Sequence, residues 1–333
     1  MELRTLGNSD IRVTPIAFGA WAIGGWMWGG AEEKAAIKAV QTAFDLGITS
    51  VDTAPVYGMG RSETLVGKAL NGIPRDQYQI LTKYGMNWES DDGHFAFNSE
   101  DNDGNPTKIY RWAAAERVKK ECEDSLRRLN TDYIDLYQIH WPDPTTPIAE
   151  TMGAVAELIK EGKVRAAGVC NYSVSQVEEA LETVSLASNQ VPYSMLKRDI
   201  EQDVVPQAVE KGMHILPYSP LQRGLLTGKI KPGHTFTGYD TRKDSAFFED
   251  ENIRRANNLL GKIRPIAEKY DATLAQLVIN WTAHQKGIGC VLVGARNEQQ
   301  VKDNAQAMNF TLTKEELEQI TSYADEFSLA PSV

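Results

Sequence analysis

Four side chains in the first half of the sequence combine the groups needed to protonate a carbonyl oxygen. They are Asp52, Tyr57, Lys83 and His140. A tyrosine hydroxyl has a pKa of about 10 and is a poor acid at neutral pH, but a neighbouring lysine cation favours its ionised form. A carboxylate would hold the lysine in place, and a histidine beside the phenol would orient a carbonyl oxygen. This set predicts a site that protonates an oxyanion as it forms, as carbonyl reduction by hydride requires.

The hydride must come from a cofactor, because no protein side chain donates one. Tyr218 is suited to stack on a nicotinamide ring, and Asn171 and Gln190 are suited to hold its carboxamide. Gly224 and Gly228 would let backbone amides approach a pyrophosphate. These residues predict that the cofactor is a nicotinamide dinucleotide.

A phosphate site is predicted where the last strand gives way to a helix. The stretch Gly294-Ala-Arg-Asn-Glu-Gln-Gln begins this helix, and a helix N-terminus can receive phosphate. Arg296 is a natural partner for a 2′-phosphate, with an ordinary surface ion pair to Glu298 as the alternative. The sequence therefore favours NADPH/NADP+ over NAD.

Short apolar segments rich in β-branched residues alternate with segments of helical period, and these elements would position the residues above. The predicted strands are residues 15–18, 50–52, 79–83, 134–140, 164–170, 188–191, 214–218 and 289–293. The predicted helices are residues 32–46, 62–70, 109–129, 148–160, 174–184, 200–211, 253–270, 274–286, 298–308 and 314–327. Strands that each precede a helix predict an α/β fold, the (β/α)8 TIM barrel, whose active sites lie where the strands end.

An open, doubly wound sheet is the alternative fold. Its fingerprint is a G-x-G-x-x-G turn after the first strand. The nearest match, Gly58-Met-Gly60-Arg-Ser-Glu63, lacks the last glycine and follows the second predicted strand. The barrel is therefore favoured, as a single domain over residues 1–333. Two short strands, 3–6 and 11–14, precede it, and two long loops, 84–108 and 221–249, interrupt it.

Composition excludes several classes of function. The chain has 35 basic and 45 acidic residues, a net charge of −10, which disfavours a nucleic-acid partner. It has no apolar run of about eighteen residues, so no membrane span is expected. Three widely spaced cysteines and no secretory signal predict a cytoplasmic protein without a disulfide framework. The five histidines show no metal-ligand spacing, so no metal is expected.

With these residues in place, the chain resembles the aldo-keto reductases, most closely their bacterial general-stress and inositol-operon branches. The matching motifs cover nearly the whole chain. They are Asp52-Thr-Ala-Pro-Val-Tyr57-Gly with Ser62-Glu63, Leu126-Arg-Arg-Leu-Asn-Thr-Asp-Tyr-Ile-Asp-Leu136 with His140, Gly162-Lys-Val-Arg-Ala-Ala-Gly-Val-Cys-Asn171, Tyr218-Ser-Pro-Leu-Gln-Arg-Gly-Leu-Leu-Thr-Gly-Lys229, and Val293-Gly-Ala-Arg296.

The resemblance implies a barrel whose bottom is closed by an N-terminal hairpin, extra C-terminal helices, and NADPH bound across the top. It implies a catalytic tetrad of Asp52, Tyr57, Lys83 and His140, with Tyr57 as the proton donor. It also implies cofactor contacts from Gly19, Ala20, Trp21, Cys170, Asn171, Gln190, Tyr218, Ser219, Leu221, Gly224, Lys229, Gly294 and Arg296, with Gln300 and Asn304 facing the adenine. Cys170 stands where this family usually has serine, a stronger hydrogen-bond partner.

Several tryptophans follow or neighbour the predicted strand ends, where they would line a substrate funnel. Trp26, Trp28, Trp88 and Trp141 are the candidate substrate residues, and Trp21 lies beside them. Aromatic walls suit sugar rings and apolar aldehydes, because both present C–H surface to an aromatic face. Core packing is the alternative for one or two of these residues, and Trp281 is expected to fill the core.

The sequence thus predicts an NADPH-dependent oxidoreductase that reduces an aldehyde or ketone, possibly derived from a sugar, to the alcohol. Two alternatives stay open. One is a nicotinamide-sensing regulatory subunit with little turnover, of the kind that the potassium-channel β subunits represent. The other is a sugar dehydrogenase that works mainly in the oxidative direction. The sequence predicts neither the substrate nor whether the chain is a monomer or a homo-oligomer.

Overall fold

The barrel predicted from the sequence is present. The computed structural model describes residues 1–25, 31–236 and 240–330, which contain eight parallel strands in one sheet. The first seven strands pair in chain order, and the eighth pairs with the first, with Gly294 opposite Gly19. Backbone hydrogen bonds join Ile215 of the seventh strand to Gly287 and Gly289, which nearly closes the barrel. The strands are Ile16–Gly19, Ser50–Asp52, Gln79–Tyr84, Ile134–Ile139, Val164–Cys170, Leu186–Pro192, His214–Tyr218 and Val291–Gly294.

Both faces of the barrel strands are covered by apolar layers. Leu81 and Leu136 belong to a cluster inside the barrel. Their neighbours Ile80 and Tyr137 belong to the larger cluster between the barrel and the helices. Successive side chains of a strand point to opposite faces, so strands covered on both faces read as nearly continuous apolar runs. This is why the strands stand out in the sequence.

The surrounding helices follow the predicted rhythm. They are Glu33–Asp45, Arg61–Leu70, Ala115–Leu129, Ile148–Lys160, Val174–Leu181, Val204–Glu210, Asp250–Lys269, Leu274–Ala283, Glu298–Ala305 and Lys314–Asp325. Asn130 caps the helix before it in the left-handed conformation, with φ of 54°. Trp281 is fully buried, as expected for a core residue. No helix in the described part of the chain is both long and apolar enough to cross a membrane.

The N-terminal hairpin lies at the ends where the barrel strands begin. Its strands are Arg4–Thr5 and Arg12–Val13, paired antiparallel. The backbone amide of Gly7 donates to Nδ1 of His214, the first residue of the seventh strand, over 2.8 Å. Leu6 and Ile11 are fully buried in the cluster inside the barrel. The hairpin therefore closes the end of the barrel opposite the strand exits.

The predicted loop 84–108 is instead an antiparallel sheet, and this part of the prediction was wrong. Its strands are Met86–Asn87, His94–Glu100 and Pro106–Arg111. Residues 109–111 therefore belong to a strand, and the next helix begins at Ala115 rather than at Ile109. The two ends of the insertion are joined by a hydrogen bond from the Trp112 amide to the Gly85 carbonyl, over 3.2 Å.

Several other helices are also shorter than predicted. The helix expected from residue 200 begins at Val204, because the Asp203 side chain caps the Val204 amide and Asp199–Glu201 form a separate 3-10 turn. The helix expected to reach residue 286 ends at Ala283. Within the predicted loop 221–249, the described residues contain the 3-10 turns Gln222–Thr227, Thr241–Asp244 and Ala246–Phe248.

Candidate active site

The four proposed catalytic residues come from three neighbouring strands and converge where those strands end. Asp52 is the last residue of the second strand, Lys83 lies near the end of the third, and His140 directly follows the fourth. Tyr57 lies in the tight turn after the second strand, where the Gly60 amide donates to the Pro55 carbonyl over 2.6 Å. Because parallel strands end at one face of a barrel, residues far apart in the chain meet there.

Lys83 and Asp52 form a buried ion pair. The Nζ atom of Lys83 lies 2.7 Å from Oδ1 of Asp52 and donates to the Thr53 carbonyl over 2.9 Å. Lys83 is fully buried and Asp52 is 3% exposed. Burial is the largest single influence and would disfavour the ammonium, but the charge and hydrogen bond of Asp52, together with Tyr57 and Cys170, outweigh it and raise the pKa of Lys83. Lys83 is therefore a fixed cation at neutral pH.

Tyr57 lies directly beside this cation. The Nζ atom of Lys83 is 4.9 Å from the centre of the Tyr57 ring. Burial raises the pKa of the Tyr57 phenol to about 12, and the charge of Lys83 acts in the opposite direction. Tyr57 is therefore protonated at neutral pH, next to a cation that would stabilise the phenolate left after proton transfer.

His140 supplies a neutral imidazole beside the phenol. Its ring is edge-on to Tyr57, with centres 5.5 Å apart and an interplanar angle of 77°. Its backbone amide donates to the Tyr84 carbonyl over 2.9 Å, which fixes its position after the strand. Burial and the nearby Lys83 charge lower the pKa of His140 well below its usual value. A neutral imidazole can orient a carbonyl oxygen without competing with Tyr57 as an acid.

Two of the predicted cofactor residues lie beneath this site. Gln190 donates from Nε2 to Oδ2 of Asp52 over 2.9 Å, so its amide nitrogen already holds the tetrad carboxylate. Cys170 is 1% exposed, and burial raises the pKa of its thiol. Both side chains face the barrel interior, and their contact with a cofactor stays a prediction.

Asn171 and Tyr218 form a polar bridge next to His140. The Asn171 side chain donates to the His140 carbonyl over 3.1 Å and accepts from the Tyr218 hydroxyl over 3.0 Å. Asn171 has a φ of 59°, and Ser219, directly after Tyr218, has a φ of 56°. Tyr218 is half-buried, and its stacking on a nicotinamide ring stays a prediction. The structure brings these residues to the same rim as the tetrad.

The predicted phosphate site has a preformed backbone. The Arg296 amide donates to Oε1 of Gln300 over 2.8 Å, and Asn304 donates to the Gly294 carbonyl over 3.3 Å. Gln300 and Asn304 thus hold the loop that carries Arg296. Glu298, the alternative partner considered for Arg296, forms an ion pair with Lys302 at 2.7 Å.

Gly19 and Gly294 lie where the first and eighth strands meet. A Cβ atom on Gly19 would lie 3.3 Å from the Gly294 nitrogen, closer than side chains normally pack, so the glycine allows the two strands to approach each other closely. Ala20 is fully buried, so its side chain offers no surface to a ligand, and its carbonyl accepts from the Ser62 hydroxyl over 3.0 Å. The loop that carries Arg296 follows directly after this contact between the strands.

The loop after the seventh strand brings three further predicted cofactor residues to this rim. Leu221 packs against the core, and its carbonyl accepts from the Gly224 amide over 3.0 Å. Gly224 has a φ of 96°, and the side chain of Arg242 lies 3.7 Å from the position of a Cβ atom there. Lys229 is exposed.

An apolar cluster lies beside the tetrad and includes two of the predicted substrate residues. Trp88 and Trp141 pack against buried Tyr57, Met86 and Ile109. Trp21, predicted as a cofactor residue, packs in the same cluster with its ring centre 6.2 Å from that of Tyr57. Trp26 and Trp28 lie outside the described residues.

The sequence analysis missed the contribution of the insertion to this cluster. Met86, Phe97 and Ile109 all come from its three strands. The Asn102 side chain, in the turn between the second and third of these strands, donates to the Gly58 carbonyl over 2.6 Å. The available signal was the aromatic segment Phe95-Ala-Phe97 before the Asp- and Gly-containing turn 101–105, a combination typical of a hairpin.

The side chains described here do not group into a metal site. Across residues 1–25, 31–236 and 240–330, no three histidine, cysteine, aspartate or glutamate side chains are arranged to hold a metal ion. The three cysteines are buried and free.

The comparisons with known proteins all indicate the same family. A model described as "Aldo/keto reductase family" matches residues 15–325. Aldo-keto reductase YhdN from Bacillus subtilis is 36% identical over 324 residues, which cover 97% of this chain and 93% of that protein. The NADH-specific methylglyoxal reductase from Escherichia coli is 35% identical and covers 94% of this chain and 95% of that protein.

A solved structure extends the likeness to the fold. The glycerol dehydrogenase AKR11B4 from Gluconobacter oxydans superposes with a TM-score of 0.87 at 35% identity. The match covers 99% of this chain and 97% of that protein. Sequence and fold therefore point to the same family over nearly the whole chain.

Proposed function

Because the chain belongs to the aldo/keto reductase family, we propose that it reduces an aldehyde or ketone to the alcohol with NADPH, using Tyr57 as the general acid. The observation that carries this proposal is the buried contact between Lys83 and Asp52 at 2.7 Å, with the Tyr57 ring 4.9 Å from the Lys83 nitrogen. A buried ammonium held by a carboxylate and placed against a phenol is costly to build unless the phenolate must be stabilised.

The residues at the barrel rim divide the work of the reaction. A bound nicotinamide nucleotide would supply the hydride. His140 orients the carbonyl oxygen, and Tyr57 transfers its proton to that oxygen as the π electron pair of the C=O bond moves onto it. Lys83 stabilises the phenolate that remains, and Asp52 holds Lys83 in place.

The proposed position of the nucleotide is supported by Tyr218 and Asn171 on one side of the tetrad. Tyr218 is half-buried, and its hydroxyl is fixed by Asn171 at 3.0 Å. Arg296 follows the eighth strand, which pairs with the first strand through Gly294 and Gly19. The proposed site therefore extends from the tetrad to the loop that carries Arg296.

We expect Arg296 to decide between the two nicotinamide cofactors. Arg296→Ala should raise the KM for NADPH by about tenfold and leave the KM for NADH nearly unchanged, because a guanidinium pairs with the 2′-phosphate that only NADPH carries. The measurement is initial-rate kinetics with both cofactors. Lys302→Ala is the matched control, since it removes a cation of the following helix that is already paired with Glu298.

An equal loss with NADH and NADPH in Arg296→Ala would remove the basis for NADPH preference. The Escherichia coli relative is named as NADH-specific, so the wild-type ratio of the two KM values is informative on its own. A preference for NADH in the wild-type protein would overturn this part of the proposal and leave carbonyl reduction standing.

The activity itself is tested by the loss of absorbance at 340 nm with a panel of aldehydes, ketones and sugars, each with NADPH and with NADH. We expect turnover with aldehydes. Binding of nucleotide without turnover of any compound would favour a regulatory subunit that senses the nicotinamide.

Oxidation of a polyol is the second candidate function. It is favoured by the likeness to a solved structure named as a glycerol dehydrogenase. The same panel, run with NADP+ and the corresponding alcohols, distinguishes the two directions. Higher kcat/KM for the alcohols than for the carbonyl compounds at neutral pH would support oxidation as the main activity.

A further inference from the structure

A cationic side chain from the insertion lies at the edge of the apolar cluster. Arg111 ends the strand Pro106–Arg111 and pairs with Met86 across the sheet. Directly opposed residues share a face of a sheet, as do residues two apart in one strand. Met86 and Ile109 both pack with Tyr57 in the apolar cluster. Arg111 therefore lies on the face of the insertion that is turned toward the proposed acid.

The guanidinium group of Arg111 is positioned by an aromatic ring next to the tetrad. Its central carbon lies 5.0 Å from the centre of the Trp141 ring. Trp141 directly follows His140 and packs in the same cluster as Tyr57. This cation–π contact fixes the direction of the side chain but does not neutralise its charge. The positive charge is thus held beside the cluster that would receive a carbonyl substrate.

The described residues provide no counter-ion for this charge. Arg111 has neither a salt bridge nor a side-chain hydrogen bond to any of the described residues, and its Nε atom is buried. Two acidic residues of the insertion pair with other cations. Glu89 lies 2.7 Å from Arg117 and 2.8 Å from Lys120, and Asp91 lies 3.7 Å from Lys108.

A partly desolvated guanidinium without a counter-ion is unfavourable in the free protein. The cost is recovered when an oxyanion binds, because the planar guanidinium matches the geometry of a carboxylate or a phosphate. The chain as a whole is acidic, with a net charge of −10. A local cation in the cleft would therefore also select which small anions enter it.

We infer that Arg111 binds an anionic group, a carboxylate or a phosphate, at the end of the substrate remote from its carbonyl. The inference rests on the proposed carbonyl reduction and adds the class of substrate to it. Arg111 is then a specificity-determining residue. The apolar cluster holds the carbon chain between the anionic end at Arg111 and the carbonyl end at Tyr57 and His140.

The test compares substrates that differ in one charge. 4-Oxobutanoate is compared with its methyl ester, and glyceraldehyde 3-phosphate with glyceraldehyde. In the wild-type protein, at least one anionic compound should have a kcat/KM about tenfold above its neutral partner. Arg111→Met should lower that kcat/KM by about 30-fold, mainly through KM, and change the neutral compounds by less than about threefold.

Two further variants distinguish an effect of the Arg111 charge from an effect on the structure of the insertion. Arg111→Lys keeps the cation and loses the planar fork, so it should recover part of the anion preference. Lys108→Met removes a basic residue of the same strand that is exposed and faces Asp91, and it should retain the wild-type preference. Thermal melting of each variant shows whether it is folded.

The outcomes separate this inference from the function on which it rests. A preference carried by the carboxylate pair, the phosphate pair or both supports the inference and identifies the oxyanion. Equal loss for charged and neutral compounds in Arg111→Met would mean that Arg111 only supports Trp141, and would overturn it. Turnover of the neutral compounds with no wild-type preference would overturn the inference alone. No turnover of any of the four compounds would overturn the proposed function and the inference together.

Discussion

Tyr57→Phe is expected to lower kcat for carbonyl reduction by about 10²- to 10⁴-fold, the usual contribution of a positioned general acid. The binding of NADPH, followed by its fluorescence, should change by less than about threefold. The phenyl ring keeps the packing against Met86 and Ile109, so the loss is that of the proton donor alone. Single-turnover kinetics with saturating NADPH measure the chemical step directly.

Tyr84→Phe is the matched control for this substitution. Tyr84 is also a buried tyrosine, one residue after Lys83, and its hydroxyl has no hydrogen-bond partner in the described part of the chain. Its ring packs on Tyr137 rather than in the proposed site, with centres 4.5 Å apart. Activity within about threefold of wild type is expected for this variant. Near-normal turnover by Tyr57→Phe would exclude Tyr57 as the acid.

The pH profile gives an independent check on the same assignment. An acid with a pKa of about 12 stays protonated until the solution becomes strongly alkaline. His140, whose pKa is lowered well below its usual value, stays neutral above its ordinary titration range. The value of kcat/KM for reduction should therefore be level from about pH 7 to about pH 10 and fall only above that range. An inflection within the plateau that disappears in His140→Gln would contradict a neutral histidine.

Lys83→Met is expected to impair both catalysis and folding. It removes the cation that lowers the pKa of Tyr57, so proton transfer becomes harder and kcat should fall by about 10²-fold or more. Among the described side chains, it also leaves Gln190 as the only hydrogen-bond donor to the buried Asp52 carboxylate. Loss of one partner of a buried ion pair typically lowers the free energy of unfolding by about 3–5 kcal/mol. Urea unfolding and steady-state kinetics measure the two effects separately.

The double variant Asp52→Asn/Lys83→Met distinguishes the two roles of Lys83. It removes both charges, so no uncompensated ion stays buried and most of the lost stability should return. Its activity should stay as low as that of Lys83→Met, because the cation beside Tyr57 is still absent. Full activity in either variant, or equal stability of Lys83→Met and wild type, would show that the ion pair is not required in this way.

The barrel could be predicted because apolar segments mark its strands along the whole sequence. Strands such as Ile134–Ile139 are buried along their whole length, and a strand covered on both faces has few alternatives to an apolar sequence. The insertion could not be predicted in the same way. Most of His94–Glu100 is exposed or half-buried, so its composition is that of a solvated loop. Ile109, Trp112 and Ala113 also fit a helical period, which extended the predicted helix backward into a strand.

The reactive groups of the site were easier to predict than their contacts. A tyrosine, a lysine, an aspartate and a histidine at strand ends form an uncommon combination, and the shared direction of the strands brings them together. The contact between Gln190 and Asp52 depends on which way a side chain points inside the barrel. The position of Arg111 depends on the pairing of the strands Met86–Asn87 and Pro106–Arg111, and the sequence predicted neither strand. Both are consequences of register, which periodicity alone does not determine.

The way in which the insertion is attached bears on how such a protein diversifies. Its two ends meet through the Trp112–Gly85 hydrogen bond, and its far turn rests on the Gly58 carbonyl. The insertion is thus a separate unit attached to the barrel. The proposed proton-transfer residues come from the barrel strands and the loops that follow them. Natural variation or laboratory grafting can therefore exchange the insertion, and with it the molecules that are recognised, while the proposed reaction is retained.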